Sequence, residues 1–161
     1  MGAATALLAI GAGISLYNAK VQSDAIGEKG AFDEAQGRAN ALLAERDAND
    51  VIARSGQDIG RVEGKKRKIL GSQRASLAAQ GIDSNFGSAT DVQNETSFMG
   101  ALDELTIKNN AFREAAGYRM QSSNYRRSAD FTSRATKTNQ LSTLLTGGAQ
   151  AADYGYKYLK N

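Results

Sequence analysis

Between Ala78 and Gln121 the chain reads AAQGIDSNFGSATDVQNETSFMGALDELTIKNNAFREAAGYRMQ, a segment that stops one long helix, turns and starts another. No proline stands anywhere in the 161 residues to break the helical runs on either side. Gly81 is placed to take the left-handed conformation that ends a helix, and Ile82 can then fold back on the last apolar turn. Ser88 offers an N-cap oxygen, and Asp91, three residues on, completes a capping box and favours the helix start by its charge. Gly81 to Gly87 is a short connection, and short connections between long helices make antiparallel neighbours. The spacing predicts an all-α fold built on a long antiparallel helical hairpin over residues 38–125, turning at 81–87.

What the hairpin can bury is limited. Six Tyr, five Phe and no Trp leave few large side chains for a core, while 17 glycines weaken any helix that contains them. Seams of Ala, Leu and Ile completed by neighbouring copies suit this composition better than a self-sufficient globule. The sequence therefore predicts a homo-oligomer, a ring or tube of helical subunits.

On the first arm, Ala44, Ala48, Val51, Ile52, Ile59, Val62, Ile69 and Leu77 fall in one stripe at about 100° per residue. On the second arm, Phe98, Leu102, Leu105, Phe112, Ala116 and Met120 line one stripe, and Ile107, Tyr118 and Tyr125 line another on roughly the opposite side. One of the two serves the hairpin and the other needs a second partner, because recurring exposed aromatics on a helix mark an interface between subunits.

Outside the hairpin, residues 1–20 form an apolar helix. Its 18 residues from Gly2 to Ala19 carry no charge and at ~1.5 Å each reach about 27 Å, just under a hydrocarbon core of roughly 30 Å. Leu7, Leu8, Ile10, Ile14 and Leu16 are its membrane-facing candidates. Packing of its small residues against sister helices accounts for the same pattern. Residues 21–37, with Gly27, Gly30 and Gly37, read as a glycine-interrupted hinge. Residues 126–161 are a basic, polar tail with a break expected at Gly147 and Gly148. Its Tyr154, Tyr156 and Tyr158 fit a strand-like end, an aromatic belt or a docking peptide.

The net charge of +3 is unevenly spread. Arg38 to Ala79 has nine basic and five acidic residues, Gln80 to Tyr125 three basic and six acidic, and Arg126 onward six basic and two acidic. The two arms are thus complementary in charge. Arg46, Arg54, Arg61 and Lys68 form a row opposite the apolar stripe of the first arm; such a row serves as a solvated outer face, and it also offers non-specific contacts to double-stranded DNA. With no His and no Cys, imidazole bases, thiolate nucleophiles and sulfur ligands for zinc are excluded. Glu95, Asp103, Glu104 and Glu114 are the carboxylates left for acid/base chemistry, and basic neighbours make ion pairing their ordinary role. No enzyme activity, cofactor or metal is expected.

The G-I-D of Gly81, Ile82 and Asp83 and the G-S-A-x-D-V of Gly87, Ser88, Ala89, Asp91 and Val92, with the following ALDELTIKNNAFREAAGYRMQ, resemble the internal virion proteins of short-tailed bacteriophages, the core or ejection proteins. The resemblance covers about 45 residues, Ala78 to Gln121. It implies a protein held inside the virion near the portal, with portal, tail and other internal virion proteins as partners, released to help form a conduit for the genome across the host envelope and its membrane. Two other roles fit the same residues: an adaptor that lines the portal and is never ejected, and a non-viral pore or secretion-filament subunit.

Overall fold

The computed structural model describes the backbone of residues 2–83 and 86–160, and the side chains of residues 10–83, 86–157 and 160. Two helices account for nearly all of it. α1 runs Gly2–Ala79 and α2 runs Ser88–Lys160, and they pack against each other as a hairpin, with no strand among the described residues. Side-chain chemistry along each helix supports its length. Pairs one turn apart, Glu34 with Arg38, Asp58 with Arg61 and Asp153 with Lys157, hold opposite charges together. The hydroxyls of Thr96, Thr106, Thr138, Thr143 and Thr146 donate to carbonyls four residues back, so β-branched polar residues sit in the helix with their protons placed.

α1 ends as Gly81 and Ile82 predict. The amide of Gly81 donates to the carbonyl of Ala78 at 3.0 Å, and that of Ile82 to Leu77 at 3.0 Å, the paired bonds of a Schellman ending. Gly81 has φ 70° and Gly87 φ 62°, which only glycine adopts without penalty. Ile82, Leu77 and Val92 line one side of a shallow cavity beneath the turn. α2 opens at Ser88 with Asp91 in its first turn.

The hairpin divides into two compact units, one of residues 42–122 and one of residues 1–41 and 123–161. In the first, the seam residues that are buried or half-buried recur every eleven residues on both helices. On α1 they are Ala44, Ser55, Lys66 and Leu77, with Ala48, Ile59 and Leu70 beside them; on α2 they are Ala89, Gly100, Ala111 and Ser122, with Gln93, Glu104 and Ala115. Eleven residues in three turns is close to the natural winding of an α-helix, so this seam stays aligned with little distortion. Its centre is Ala48, Val51, Ala111 and Ala115, flanked by Ile52 and Tyr118.

In the other unit the seam recurs every seven residues. Ser23, Gly30 and Gly37 on α1 face Ala129, Thr136 and Thr143 on α2, all buried or half-buried. The side chains here are very small. A Cβ on Gly30 would run into Thr136, one on Gly37 would stand 3.0 Å from the Ala129 methyl, and one on Gly147 would collide with the Ala19 methyl. Gln140 donates from Nε2 to the carbonyl of Ser23 at 3.0 Å and covers Gly27.

Three expectations change. The glycines at 27, 30 and 37 do not break α1, and Gly147 and Gly148 do not break α2; both helices run through unbroken. Gly30, Gly37 and Gly147 instead let the two backbones come close, and the contact offsets the propensity they lack. The basic tail packs along α1, with Ala129 and Gly147 buried, and the Tyr-rich end is helical through Lys160, not strand-like. Tyr158, Leu7 and Leu8 lie outside the described side chains.

Candidate functional site

Helical geometry gives each unit an inner seam and an outer surface, and the outer surface of α2 in residues 42–122 carries several large apolar side chains. Ile107 and Tyr118 turn inward and are half-buried, as is Tyr125 in the other unit. The second stripe is therefore the one left uncovered: Phe98 is 61% exposed and Met120 66%, and Leu102, Leu105 and Phe112 are also exposed. Between them stand Asn109 and Ala116, exposed on the same side. The Lys108 ammonium lies 5.9 Å from the centre of the Phe112 ring, a cation–π contact at the stripe's edge. Apolar rings and branched chains in a row over six turns of one helix are surface that water disfavours.

The first arm divides in a similar way. Ile52, Ile59, Val62 and Leu77 are half-buried at the seam, while Ile69 is exposed. The reason is the eleven-residue period, which carries the seam from Ala48 through Ile59 to Leu70 and leaves Ile69 to one side. Arg46, Arg54, Arg61 and Lys68 are all exposed. Arg61 is held by Asp58 at 2.9 Å, and Arg54 donates from Nε to the carbonyl of Asp50 at 3.4 Å. The row is thus a partly neutralised outer face.

Sequence reasoning missed the polar clasps across the seam. Lys66 Nζ meets Glu104 Oε1 at 2.6 Å, with both side chains about three-quarters covered, and the Lys66 stem lies over Gly100. Arg74 Nε donates to Gln93 Oε1 at 2.8 Å, and Gln73 Nε2 to Thr96 Oγ1 at 2.9 Å. The signal that finds them is register: Ala19 with Gly147, Gly30 with Thr136, Gly37 with Ala129 and Lys66 with Gly100 all pair residues whose numbers add to 166. Of the four carboxylates singled out on α2, Glu104 is committed to Lys66, while Glu95, Asp103 and Glu114 are exposed. At the far end Lys157 donates to Asp153 at 2.7 Å, and that bond, with the carboxylate's charge, holds its ammonium above the usual lysine range.

No family model, curated protein or solved structure matches this chain. Among the described residues no cluster of His, Cys, Asp or Glu is arranged to hold a metal ion, and no helix is long and apolar enough to cross a membrane. Of the candidate membrane-facing residues, Ile10, Ile14 and Leu16 are exposed on α1. Beside them Gly11, Ser15, Asn18, Gln22, Thr146 and Tyr154 line an open groove of about 550 Å³. Its walls are mostly amide and hydroxyl groups, with no charged side chain among those named.

Proposed function

We propose that this chain is an internal virion protein of a short-tailed bacteriophage, packaged near the portal and released to help build a conduit for the genome. The observation that carries the assembling part of the reading is the uncovered stripe from Phe98 to Met120. It lies on a hairpin whose own seam is complete without it. A subunit with such a face is made to be covered. The viral part rests on the resemblance of the turn, whose Gly81, Ile82 and Gly87 are the residues that stop α1 and restart the chain.

The seam chemistry suits passage through a narrow tail. A hairpin with no disulfide and no proline has no covalent link to reduce and no slow prolyl isomerisation to wait for, so it can open and close again. The exposed Arg46, Arg54, Arg61 and Lys68 would then face DNA, and the apolar start of α1 would meet the host membrane. The decisive experiment counts copies of the chain per particle before and after genome release. Loss of the copies with the genome supports ejection. Full retention in emptied particles refutes it and makes the protein a fixed lining of the portal or tail channel, and absence from the particle refutes the viral reading altogether.

A further inference from the structure

We propose that the outer stripe of α2 docks on the outward face of α1 in a second copy, so that hairpins join head to tail and each copy both offers one face and receives on the other. This rests on the reading of the chain as an assembling subunit and names the two faces and their register. Everything it needs lies within residues 42–122, and three features carry it.

The first is fit. On α1 the eleven-residue seam runs through Ser55, Lys66 and Leu77, so Gly60 and Gly71, midway between them, lie on the side away from α2, with Gly64 beside them. A glycine in the seam has a neighbour in place of its side chain, as Gly100 has the Lys66 stem, but a Cβ on Gly60, Gly64 or Gly71 would meet nothing within 4 Å. Within the hairpin these three only weaken the helix. On α2, Leu105 falls midway between the seam positions Gly100 and Ala111, with Phe98 and Leu102 on the same outward side, all exposed. Large side chains on one outward face and missing ones on the other are knobs and holes.

The second is register. In this unit the Lys66 stem lies over Gly100, and residues of α1 and α2 whose numbers add to about 166 are level. A rotation about an axis parallel to these helices leaves every height unchanged, so in a ring the same residues are level between neighbouring copies. That sets Phe98 over the hole formed by Gly64, Arg67, Lys68 and Gly71, and Leu105 over the one formed by Gln57, Gly60, Arg61 and Gly64, with two glycines in each. Symmetry and shape select the same register independently. Arg61 and Lys68 wall these holes with their stems and keep their charged ends at the rim. Beyond Asn109, Phe112 comes level with Arg54 and Met120 with Arg46, and the apolar stems of those arginines lie along them.

The third is charge. Residues 88–107 of α2 carry Asp91, Glu95, Asp103 and Glu104 and no basic residue, whereas residues 59–78 of α1, level with them, carry six basic residues and one acidic. Lys66 and Glu104 hold each other and leave the contrast in place. No other stretch of this unit is as basic. Docking on α1 of the next copy lays the acidic stretch along it. Such a contact uses a different face on each partner, so it repeats from copy to copy and closes into a ring or runs on as a filament.

The chain has no cysteine, so cysteine variants of the full-length protein report the geometry directly. Gln57 and Asn109 are exposed and level in this register, and neither is a knob or a glycine. Gln57→Cys mixed with Asn109→Cys is expected to give the mixed disulfide dimer under mild oxidation, and each alone none. A chain with both changes is expected to give a ladder of dimers, trimers and larger species. Within one hairpin the two positions are on outward sides of helices with axes roughly 8–10 Å apart, so their Cα atoms stand at least about 12 Å apart, against under about 7 Å for a disulfide. Self-crosslinking of Asn109→Cys would pair α2 with α2, that of Gln57→Cys α1 with α1, and either overturns the proposal, as does a ladder that stops at dimers. In sedimentation the unmodified chain is expected to associate, and less as salt rises; a monomer mass with no mixed crosslink overturns the proposal as well. Leu102→Asp is expected to abolish association with far-UV circular dichroism unchanged, which separates lost docking from lost fold. Gly60→Ala adds stability to the separate hairpin yet is expected to weaken association about tenfold, because its methyl stands in the hole that Leu105 fills. Association unchanged in both variants places the contact elsewhere and refutes the assignment. These measurements use purified protein, so their outcome is independent of the count of copies in virions.

Discussion

Two glycine-to-alanine changes, Gly147→Ala and Gly60→Ala, should move stability in opposite directions. Both glycines are inside continuous helices, where alanine is favoured by about 1 kcal/mol from backbone entropy and propensity alone. At Gly60 nothing stands within 4 Å of a new Cβ, so the whole of that gain should appear. At Gly147 the new methyl meets the methyl of Ala19, which has no rotamer to escape into, and comes within 3.3 Å of the Ser15 carbonyl. Relief requires the two backbones to part, and overpacking of this kind costs roughly 1–3 kcal/mol. The net expectation is a gain of about 1 kcal/mol at Gly60 and a loss of up to about 2 kcal/mol at Gly147, the difference of the two terms. Urea unfolding followed by far-UV circular dichroism, at two protein concentrations, measures both. If Gly147→Ala stabilises as much as Gly60→Ala, the helices do not approach at that point and the close-contact account of the seam fails. A concentration-dependent loss in Gly60→Ala would place that face against another copy.

Gly81→Ala should lower stability by roughly 1–2 kcal/mol, because its φ of 70° is costly for any residue with a Cβ although the space around it is open; Gly81→Asn should recover part of the loss in the same unfolding assay. The clasp between Lys66 and Glu104 should show a coupling of about 1 kcal/mol in a double-mutant cycle, and Lys66→Met with Glu104→Leu together should be close to neutral, since both charged ends are largely covered. Replacing Arg46, Arg54, Arg61 and Lys68 by Gln should slow genome delivery without altering helicity; unchanged delivery in an infection assay would remove DNA from the partners of this row.

The turn was legible because its chemistry is local. Gly81 and Ile82 act through hydrogen bonds to residues three and five positions back, and the sequence carries both partners. The two stripes of α2 were legible as stripes, yet nothing in their composition says which turns inward. The larger and greasier one, with Phe98 and Phe112, is outside, because Ala111 and Ala115 accompany Ile107 and Tyr118 and let α1 come near, whereas phenylalanines would hold it off. The same rule misled the reading of the glycines. A glycine in a helix looks like a weak point until the other helix is in place, and only then does the missing side chain become the room that Thr136 or Ala19 needs. The change from an eleven- to a seven-residue repeat was beyond reach for a similar reason: at about 98° and 103° per residue the two differ too little to separate in a seam built largely of alanine, serine and glycine.

Among the described residues no large side chain is fully buried; the tightest positions are alanines such as Ala48 and Ala115, both at 0% exposure. Such a hairpin has no central plug whose removal collapses the whole. Each turn is held by its own small contacts and an occasional clasp, so the two helices can part and rejoin like the teeth of a fastener, a few at a time. Amide exchange should accordingly rise by degrees along the helices rather than switch at one threshold.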